Sequence, residues 1–173
     1  MKPSIIIRPA VESDANGIGK VHVDSWRTTY ARIFSRGLLE GLSYETRSES
    51  ALNRIRNPEL DCFVAEDSSS GQVIGFSHMG KSREPNLSID GELYAIYLLK
   101  EYQGLGIGRK LFETATGALQ KRGYKQFFVS VFSDNHESVA FYKKMGGKLI
   151  GHDNYHVDGK RLTTDTLAWD LKA

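Results

Sequence analysis

Hydrophobic residues occur along this chain in two patterns, as short continuous runs and as repeats at helical spacing. Runs of β-branched and aromatic residues predict strands over residues 5–7, 62–65, 72–79, 93–99 and 127–132. Residues 93–99 are apolar almost throughout, which is typical of a strand covered on both faces. Several predicted strands follow one another without a helix between them, and helices separate the later strands. This order predicts a mixed sheet with helices on both sides.

Apolar residues recur at helical spacing in four segments. The predicted helices run from Ser13 to about Ile33, from Ser43 to about Arg56, from Ile107 to Gly123 and from Asn135 to Met145. Serine is a common N-cap, and Asn57-Pro58 is a stop signal for the second helix. Near the end of the chain, Asp158-Gly159 lies between two alternating runs and predicts a two-residue hairpin turn.

These elements fit one domain spanning residues 1–173. Lys and Arg number 23 against 21 Asp and Glu, so the chain lacks the basic excess typical of non-specific nucleic-acid binding. No apolar run approaches a membrane helix of about 18 residues, and residues 5–7 are too short for a signal-peptide core. A single cysteine, Cys62, excludes an internal disulfide. We therefore expect a cytoplasmic protein without metal, nucleic-acid or membrane partners, and leave homodimer formation open.

A glycine-rich turn, residues 103–110, connects the apolar run 93–99 to an amphipathic helix. The first N–H groups of a helix have no partner within it, and the helix dipole is positive there, so this junction predicts an anion site. Glycines leave room for phosphate oxygens to approach the amides, and they occupy Gly104, Gly106 and Gly108. Arg109 and Lys110 add positive charge to the same turn.

Two common phosphate-binding loops do not match this turn. A Walker A loop requires Lys-Ser/Thr after its second glycine, whereas Gly108 is followed by Arg109-Lys110-Leu111. The dinucleotide fingerprint Gly-x-Gly-x-x-Gly lies near the start of a βαβ unit, whereas this turn has Gly-x-Gly-x-Gly and comes after several strands. The sequence therefore predicts a phosphate ligand held by another kind of loop.

Two motifs resemble those of the GNAT superfamily of N-acetyltransferases. Residues 103–108 match its signature Gln/Arg-x-x-Gly-x-Gly/Ala at every specified position. Residues 135–147 resemble its second motif, Asn-x-x-Ser/Ala-x-x-Phe-Tyr-x-Lys/Arg-x-Gly-Phe, with Gly147 in place of the aromatic residue. The resemblance is close over roughly residues 90–150. It implies an α/β (α+β) fold with a mostly antiparallel central sheet of about seven strands.

This resemblance also implies an acetyl-CoA site. The turn would hold the pyrophosphate of acetyl-CoA through residues Gln103, Gly104, Leu105, Gly106, Ile107, Gly108, Arg109 and Lys110. The preceding strand would carry a bulge around Ile96, Tyr97 and Leu98, and its backbone would pair with the pantetheine arm. Asn135 would contact the arm or a nearby water, and it can also cap the following helix.

Acetyl transfer from a thioester requires a neutral amine, a polarised carbonyl and a proton for the departing thiolate. An alkylammonium has a pKa near ~10.4, so a base or proton wire must act near neutral pH. A backbone N–H near Leu98 would polarise the carbonyl. The resemblance makes Tyr142 the general acid and Glu92 the base, often through water. Without the resemblance, Tyr142 would be interpreted as a helix tyrosine whose ring packs against its neighbours. Glu92 would be a solvated carboxylate at the end of a strand.

Other candidates for chemistry are weaker. Tyr94, His78 and His136 are lesser candidates, and a lone histidine is more often structural. Cys62 lacks a paired base, which favours direct attack in a ternary complex over an acetyl-cysteine intermediate.

The sequence does not specify which amine receives the acetyl group. Trp26 and Tyr30 lie four apart on one helical face, where they would line an acceptor pocket or belong to a core stripe. We predict an N-acetyltransferase that uses acetyl-CoA and acts on a primary amine of a small molecule or peptide. The alternatives are a non-catalytic acyl-CoA-binding or sensing module on the same fold and a nucleotide-phosphate binder.

Overall fold

The computed structural model describes residues 3–157 and 159–172 and contains one seven-stranded sheet. The strands are β1 (Ile5–Pro9), β2 (Asp61–Asp67), β3 (Gln72–Lys81), β4 (Gly91–Leu98), β5 (Gln126–Phe132), β6 (Lys148–Val157) and β7 (Lys160–Asp170). Their order across the sheet is β1-β2-β3-β4-β5-β7-β6. Every neighbouring pair is antiparallel except β4 and β5, which are parallel. The predicted mixed, mostly antiparallel sheet is confirmed.

Helices cover both faces of this sheet, as predicted. They are α1 (Ala15–Thr29), α2 (Arg36–Glu40), α3 (Tyr44–Arg56), α4 (Ile107–Lys121) and α5 (His136–Lys144), with 3-10 turns at Glu12–Asp14 and Lys100–Tyr102. Helices α1 and α3 pack against each other, and their apolar residues join Val64 and Phe76 in one core cluster. Helix α4 packs on the opposite face, where Leu111 contacts Ala65 and Ile74.

Two predicted helix boundaries have different outcomes. Ser43 caps α3, because its hydroxyl accepts a hydrogen bond of 3.1 Å from the Thr46 N–H. The predicted cap at Ser13 is wrong, since Ser13 lies within a 3-10 turn and α1 begins at Ala15. The Asp14 carboxylate instead accepts the Val11 N–H at 2.8 Å and pairs with Arg8.

The first helix is also shorter than predicted. It ends at Thr29, and the chain then turns into α2, which the sequence pattern did not indicate. At the end of the chain, β6 and β7 form the predicted hairpin, and Gly159 has a φ of +72°. Asp158 of the predicted turn lies outside the described residues.

A bulge in β4 decides which side chains face the site. Ala95 lies opposite His78 and Leu93 lies opposite Met79, so Tyr94 is an extra residue in the β3–β4 ladder. The extra residue interrupts the alternation of side chains, and Leu93 and Ile96 therefore both join the cluster under α4. The bulge expected around residues 96–98 lies instead at Tyr94, because the pairing with β3 sets its position.

Strands β4 and β5 separate soon after they meet. They pair only at Gly91 with Phe127 and at Glu92 with Phe128. Past Glu92 the two strands run apart, and an opening forms between residues 94–98 and residues 129–132. The carboxyl ends of two parallel strands thus border a cavity in the middle of the sheet.

We expect Leu111→Ala to reduce the free energy of unfolding by about 2–5 kcal/mol, because Leu111 is completely buried between α4 and the sheet. Leu149→Ala is the matched control, since Leu149 is 38% exposed on β6, and its loss should stay below about 1 kcal/mol. Urea unfolding measures both values. Equal losses would contradict the packing of α4 described above.

Candidate active site

A cavity of about 730 Å³ occupies the opening between β4 and β5. The glycine-rich turn and α5 border it at one end. The last turn of α1 and the β6–β7 hairpin border it at the other end. One continuous cavity thus connects the glycine-rich turn to α1 and the hairpin.

The glycine-rich turn presents free amide groups to this cavity. Gly104 and Gly106 have φ values of +76° and +82°, a backbone region that favours glycine. Within the described chain, the N–H groups of residues 104–109 have no acceptor, and the first helical bond runs from the Lys110 N–H to the Gly106 carbonyl at 3.3 Å. A Cβ at Gly104 or Gly106 would meet no atom within 4 Å, so the space in front of the turn is open.

Most predicted cofactor-binding residues border the cavity: Ile96, Tyr97, Leu98, Gln103, Gly104, Gly106, Gly108, Arg109, Asn135 and Tyr142. Three do not, namely Leu105, Ile107 and Lys110. The Ile107 side chain is buried in the core under the turn, and the Leu105 side chain is exposed. Leu105 and Ile107 are thus placed to contribute backbone amides rather than side chains, whereas the Lys110 amide is already bonded to the Gly106 carbonyl.

Arg109 and Asn135 have local roles as well as a place at the cavity. The Arg109 guanidinium pairs with Glu113 one helical turn later at 3.1 Å, an exposed ion pair that leaves the side chain free to move. The Asn135 side chain accepts the Ser138 N–H at 3.3 Å and so caps α5. The capping role of Asn135 is confirmed, and its place at the cavity is compatible with a second contact.

Tyr142 on α5 faces the cavity with a protonated phenol. Its ring packs against Phe112, Phe141 and Trp169, which fixes its position. Burial raises the pKa of Tyr142 above its usual value, and the nearby Tyr97 raises it further. Its hydroxyl therefore stays protonated at neutral pH and can donate to a group in the cavity.

Tyr30 and Trp26 differ in their position relative to the cavity. Tyr30 borders the cavity, and burial raises the pKa of its phenol, with Tyr97 as a further cause. Trp26 lies behind it, with ring centroids 4.6 Å from Tyr30 and 5.6 Å from Phe34. Trp26 thus supports the pocket wall, and only Tyr30 reaches the space where an acceptor would bind.

Glu92 lies outside the main cavity. It is 3% exposed and borders a second cavity of about 270 Å³. Its carboxylate accepts the Arg83 backbone N–H at 2.9 Å, the Nη2 at 2.6 Å and the Nε at 3.3 Å. Because Arg83 occupies both oxygens, this geometry does not support the prediction that Glu92 takes the amine proton.

The lesser candidates for chemistry differ in how deeply they are buried. Burial lowers the pKa of His78 well below its usual value, so His78 is a neutral core residue between Phe76 and Tyr94. Tyr94 borders the cavity, and burial raises its pKa to about 12. His136 is exposed at the start of α5. Burial raises the pKa of the Cys62 thiol to about 11, which keeps it protonated and unreactive.

Three cavity residues had no sequence signal. Arg83 lies in the connection between β3 and β4, and Tyr155 and Thr164 lie on the closing hairpin. Thr164 is 4% exposed, and its Oγ1 has no hydrogen-bond partner among the described residues. Tyr155 and Thr164 reach the cavity because β7 lies between β5 and β6 in the sheet, whereas Arg83 reaches it from the β3–β4 connection.

In the part of the chain that the structure describes, no helix is long and apolar enough to cross a membrane. The same residues contain no cluster of three or more His, Cys, Asp or Glu side chains placed to hold a metal ion.

A model of the acetyltransferase (GNAT) family matches residues 23–147. An uncharacterized N-acetyltransferase, YuaI, of Bacillus subtilis is 38% identical over 98% of this chain and 95% of its own length. A spermidine N(1)-acetyltransferase of Thermoplasma acidophilum is 30% identical over 87% of this chain and 92% of its own length.

A crystal structure shows the same fold with coenzyme A bound. It is the PaiA N-acetyltransferase of Thermoplasma acidophilum, with a TM-score of 0.74 and 28% identity over 94% of this chain and 98% of that chain. The open glycine turn at residues 104–109 fits a phosphate-bearing cosubstrate of this kind. The chain therefore belongs to the acetyltransferase (GNAT) family and is an acyltransferase that uses acetyl-CoA.

Proposed function

We propose that this enzyme transfers the acetyl group of acetyl-CoA to a primary amine of a small molecule or peptide by direct attack in a ternary complex. One observation carries the proposal: Gly104, Gly106, Gly108 and Arg109, whose amides are free, border the same cavity as Tyr142. Acetyl-CoA supplies an activated thioester. The residues of this chain orient the thioester and transfer protons to and from the reacting groups.

The glycine turn is the proposed pyrophosphate site. Its N–H groups begin α4, where the helix dipole adds positive potential. The open space in front of Gly104 and Gly106 lets phosphate oxygens approach the backbone. Several charge-assisted hydrogen bonds from backbone donors would hold the diphosphate with little loss of side-chain entropy.

Strand β4 is the proposed partner of the pantetheine arm. Past Glu92 its edge no longer pairs with β5, so backbone groups of residues 96–98 are available to an extended ligand. The Gln103 side chain donates to the Leu98 carbonyl at 3.2 Å and links the strand to the turn. The thioester would lie between this strand and α5, with a strand amide donating to its carbonyl oxygen.

Tyr142 is the proposed general acid. As the tetrahedral intermediate collapses, the carbon–sulfur bond breaks and the thiolate receives the phenol proton. Burial raises the pKa of a thiol as well as that of a phenol, as Cys62 and Tyr142 both illustrate. The buried thiolate is therefore a stronger base than in water, and this offsets the weaker acidity of the buried phenol.

The amine proton is proposed to leave through water. Near Tyr142 the acceptor end of the cavity has hydroxyl groups, including those of Tyr30, Ser130 and Thr164. Ordered water between such groups can carry a proton from the amine to solvent. This route requires no carboxylate in contact with the amine.

We expect Tyr142→Phe to lower kcat by about 100-fold or more, because the thiolate loses its proton donor. The affinity for acetyl-CoA should change by less than about threefold, since the ring and its packing remain. Release of the CoA thiol measures turnover, and calorimetry measures binding. Tyr124→Phe is the control, as Tyr124 packs in the core away from the cavity. A fully active Tyr142→Phe enzyme would show that another group is the acid.

The pH profile of kcat should not fall on the alkaline side up to about pH 10, the usual phenol pKa. Burial raises the pKa of Tyr142, so the acid form is retained as the pH rises. A pH–rate profile with saturating substrates tests this. A descending limb below pH 9 that disappears in Tyr142→Phe would contradict the assigned protonation state.

Gly106→Ala should weaken acetyl-CoA binding by about tenfold or more, because alanine disfavours a φ of +82° and its Cβ enters the space in front of the turn. Gly117→Ala is the matched control in the middle of α4, where a Cβ meets no atom within 4 Å. That change should stabilise the helix by about 0.5–1 kcal/mol and leave binding unchanged. Calorimetric titration with acetyl-CoA compares the two. If both variants bind normally, the turn is not the phosphate site.

A further inference from the structure

We propose that the amine acceptor carries a carboxylate or another oxyanion next to its amine, and that Arg83 binds this anion. The inference rests on the proposed function and names the class of acceptor. Its starting point is that Arg83 borders both the 730 Å³ cavity and the neighbouring 270 Å³ cavity. Arg83 is therefore at the junction where an acceptor would extend away from Tyr142.

Two contacts hold the Arg83 guanidinium in place, one along an edge of the planar group and one on its face. Its Nε and Nη2 donate to the Glu92 carboxylate, which is itself buried. Its Cζ lies 4.3 Å from the centre of the Tyr94 ring, a cation–π contact. The side chain still exposes 63% of its surface. The guanidinium is thus oriented before any ligand arrives, which lowers the entropy cost of binding.

The donors that Glu92 leaves unused are both N–H groups of Nη1 and one N–H of Nη2. These donors form the outer edge of the guanidinium. Two parallel N–H groups on such an edge match the two oxygens of a carboxylate or phosphonate. Glu92 therefore acts as a positioning residue for Arg83, which gives its buried carboxylate a role other than that of a base.

The charge behind the cavity wall favours an anion. Among the described residues, Arg47 and Arg54 on α3 form no salt bridge, and the buried Arg54 Nη1 has no hydrogen-bond partner. Both guanidinium groups act on Tyr97, which borders the cavity: burial raises the pKa of Tyr97, while hydrogen bonds with Trp26 and Tyr30 and the charges of Arg47 and Arg54 oppose that rise. Unpaired positive charge near this wall attracts an acceptor with a negative group.

Besides the carboxylate paired with Arg83, three others border the cavities and oppose an anion. Glu137 borders the larger cavity at the start of α5. Glu84 and Asp153 border the smaller cavity beyond Arg83 and would favour the distal ammonium of a polyamine. A polyamine would have to pass the Arg83 guanidinium to reach them from the larger cavity, at an electrostatic cost. An amine with an adjacent anion meets Arg83 first, and it also meets the unpartnered hydroxyl of Thr164. The geometry favours the anionic acceptor.

The test compares matched acceptors by release of the CoA thiol. The probes are α-amino acids, their carboxamides, the corresponding aminophosphonates and spermidine. We expect the best amino acid or aminophosphonate to exceed its uncharged counterpart by about tenfold or more in kcat/KM. In Arg83→Met this preference should fall below about threefold, while kcat/KM for the carboxamide stays nearly constant. The ratio between the two anions identifies which one the site takes.

Glu92→Gln separates positioning from base catalysis. If Glu92 positions Arg83, KM for the anionic acceptor rises while kcat and the pH profile of kcat are retained. A general base would instead lose about 100-fold or more in kcat. Glu84→Gln is the control on the same cavity, and it should leave the preference for anionic acceptors unchanged.

Three outcomes would overturn the inference. Preference of the wild-type enzyme for spermidine or carboxamides, or an unchanged anion preference in Arg83→Met, would refute it and leave the acetyltransferase assignment intact. Binding of acetyl-CoA without turnover of any amine would refute the proposed function, and the inference with it.

Discussion

The site depends on the separation of two parallel strands. After two residue pairs, β4 and β5 stop hydrogen bonding, and both strands leave backbone groups facing an open space. The bulge at Tyr94 accompanies this separation and turns Leu93 and Ile96 toward the same core cluster. Burial under α4 offsets the cost of the unpaired strand edges, so a stable sheet can contain a cavity at its centre.

The same separation brings unrelated parts of the chain together. The glycine turn follows β4 and a short 3-10 turn, and α5 follows β5, so each strand delivers one half of the proposed acetyl-CoA end. The β6–β7 hairpin forms one end of the sheet, and the pairing of β7 with β5 places Thr164 opposite Phe132. The acceptor end is thus built by long-range pairing, whereas the cosubstrate end is built by residues next to the strands in sequence.

This difference explains what the sequence could predict. A left-handed turn at Gly104 and Gly106 and a helix cap at Asn135 are local requirements, and local requirements leave motifs. Helical spacing put Trp26 and Tyr30 on one face, but only tertiary packing decides that Tyr30 is the one at the cavity. The bulge at Tyr94 and the contact of Arg83 with Glu92 depend on cross-strand register, which no local pattern specifies.

In the proposed complex, one acetyl-CoA molecule contacts the glycine turn through its diphosphate and α5 through its thioester. Amide NMR during titration with acetyl-CoA observes both segments at once. Large shifts are expected for the amides of residues 104–109 and for the backbone around Tyr142, saturating at the same concentration, with Gly117 unaffected. Shifts confined to one of these two segments, or to neither, would contradict the proposed complex.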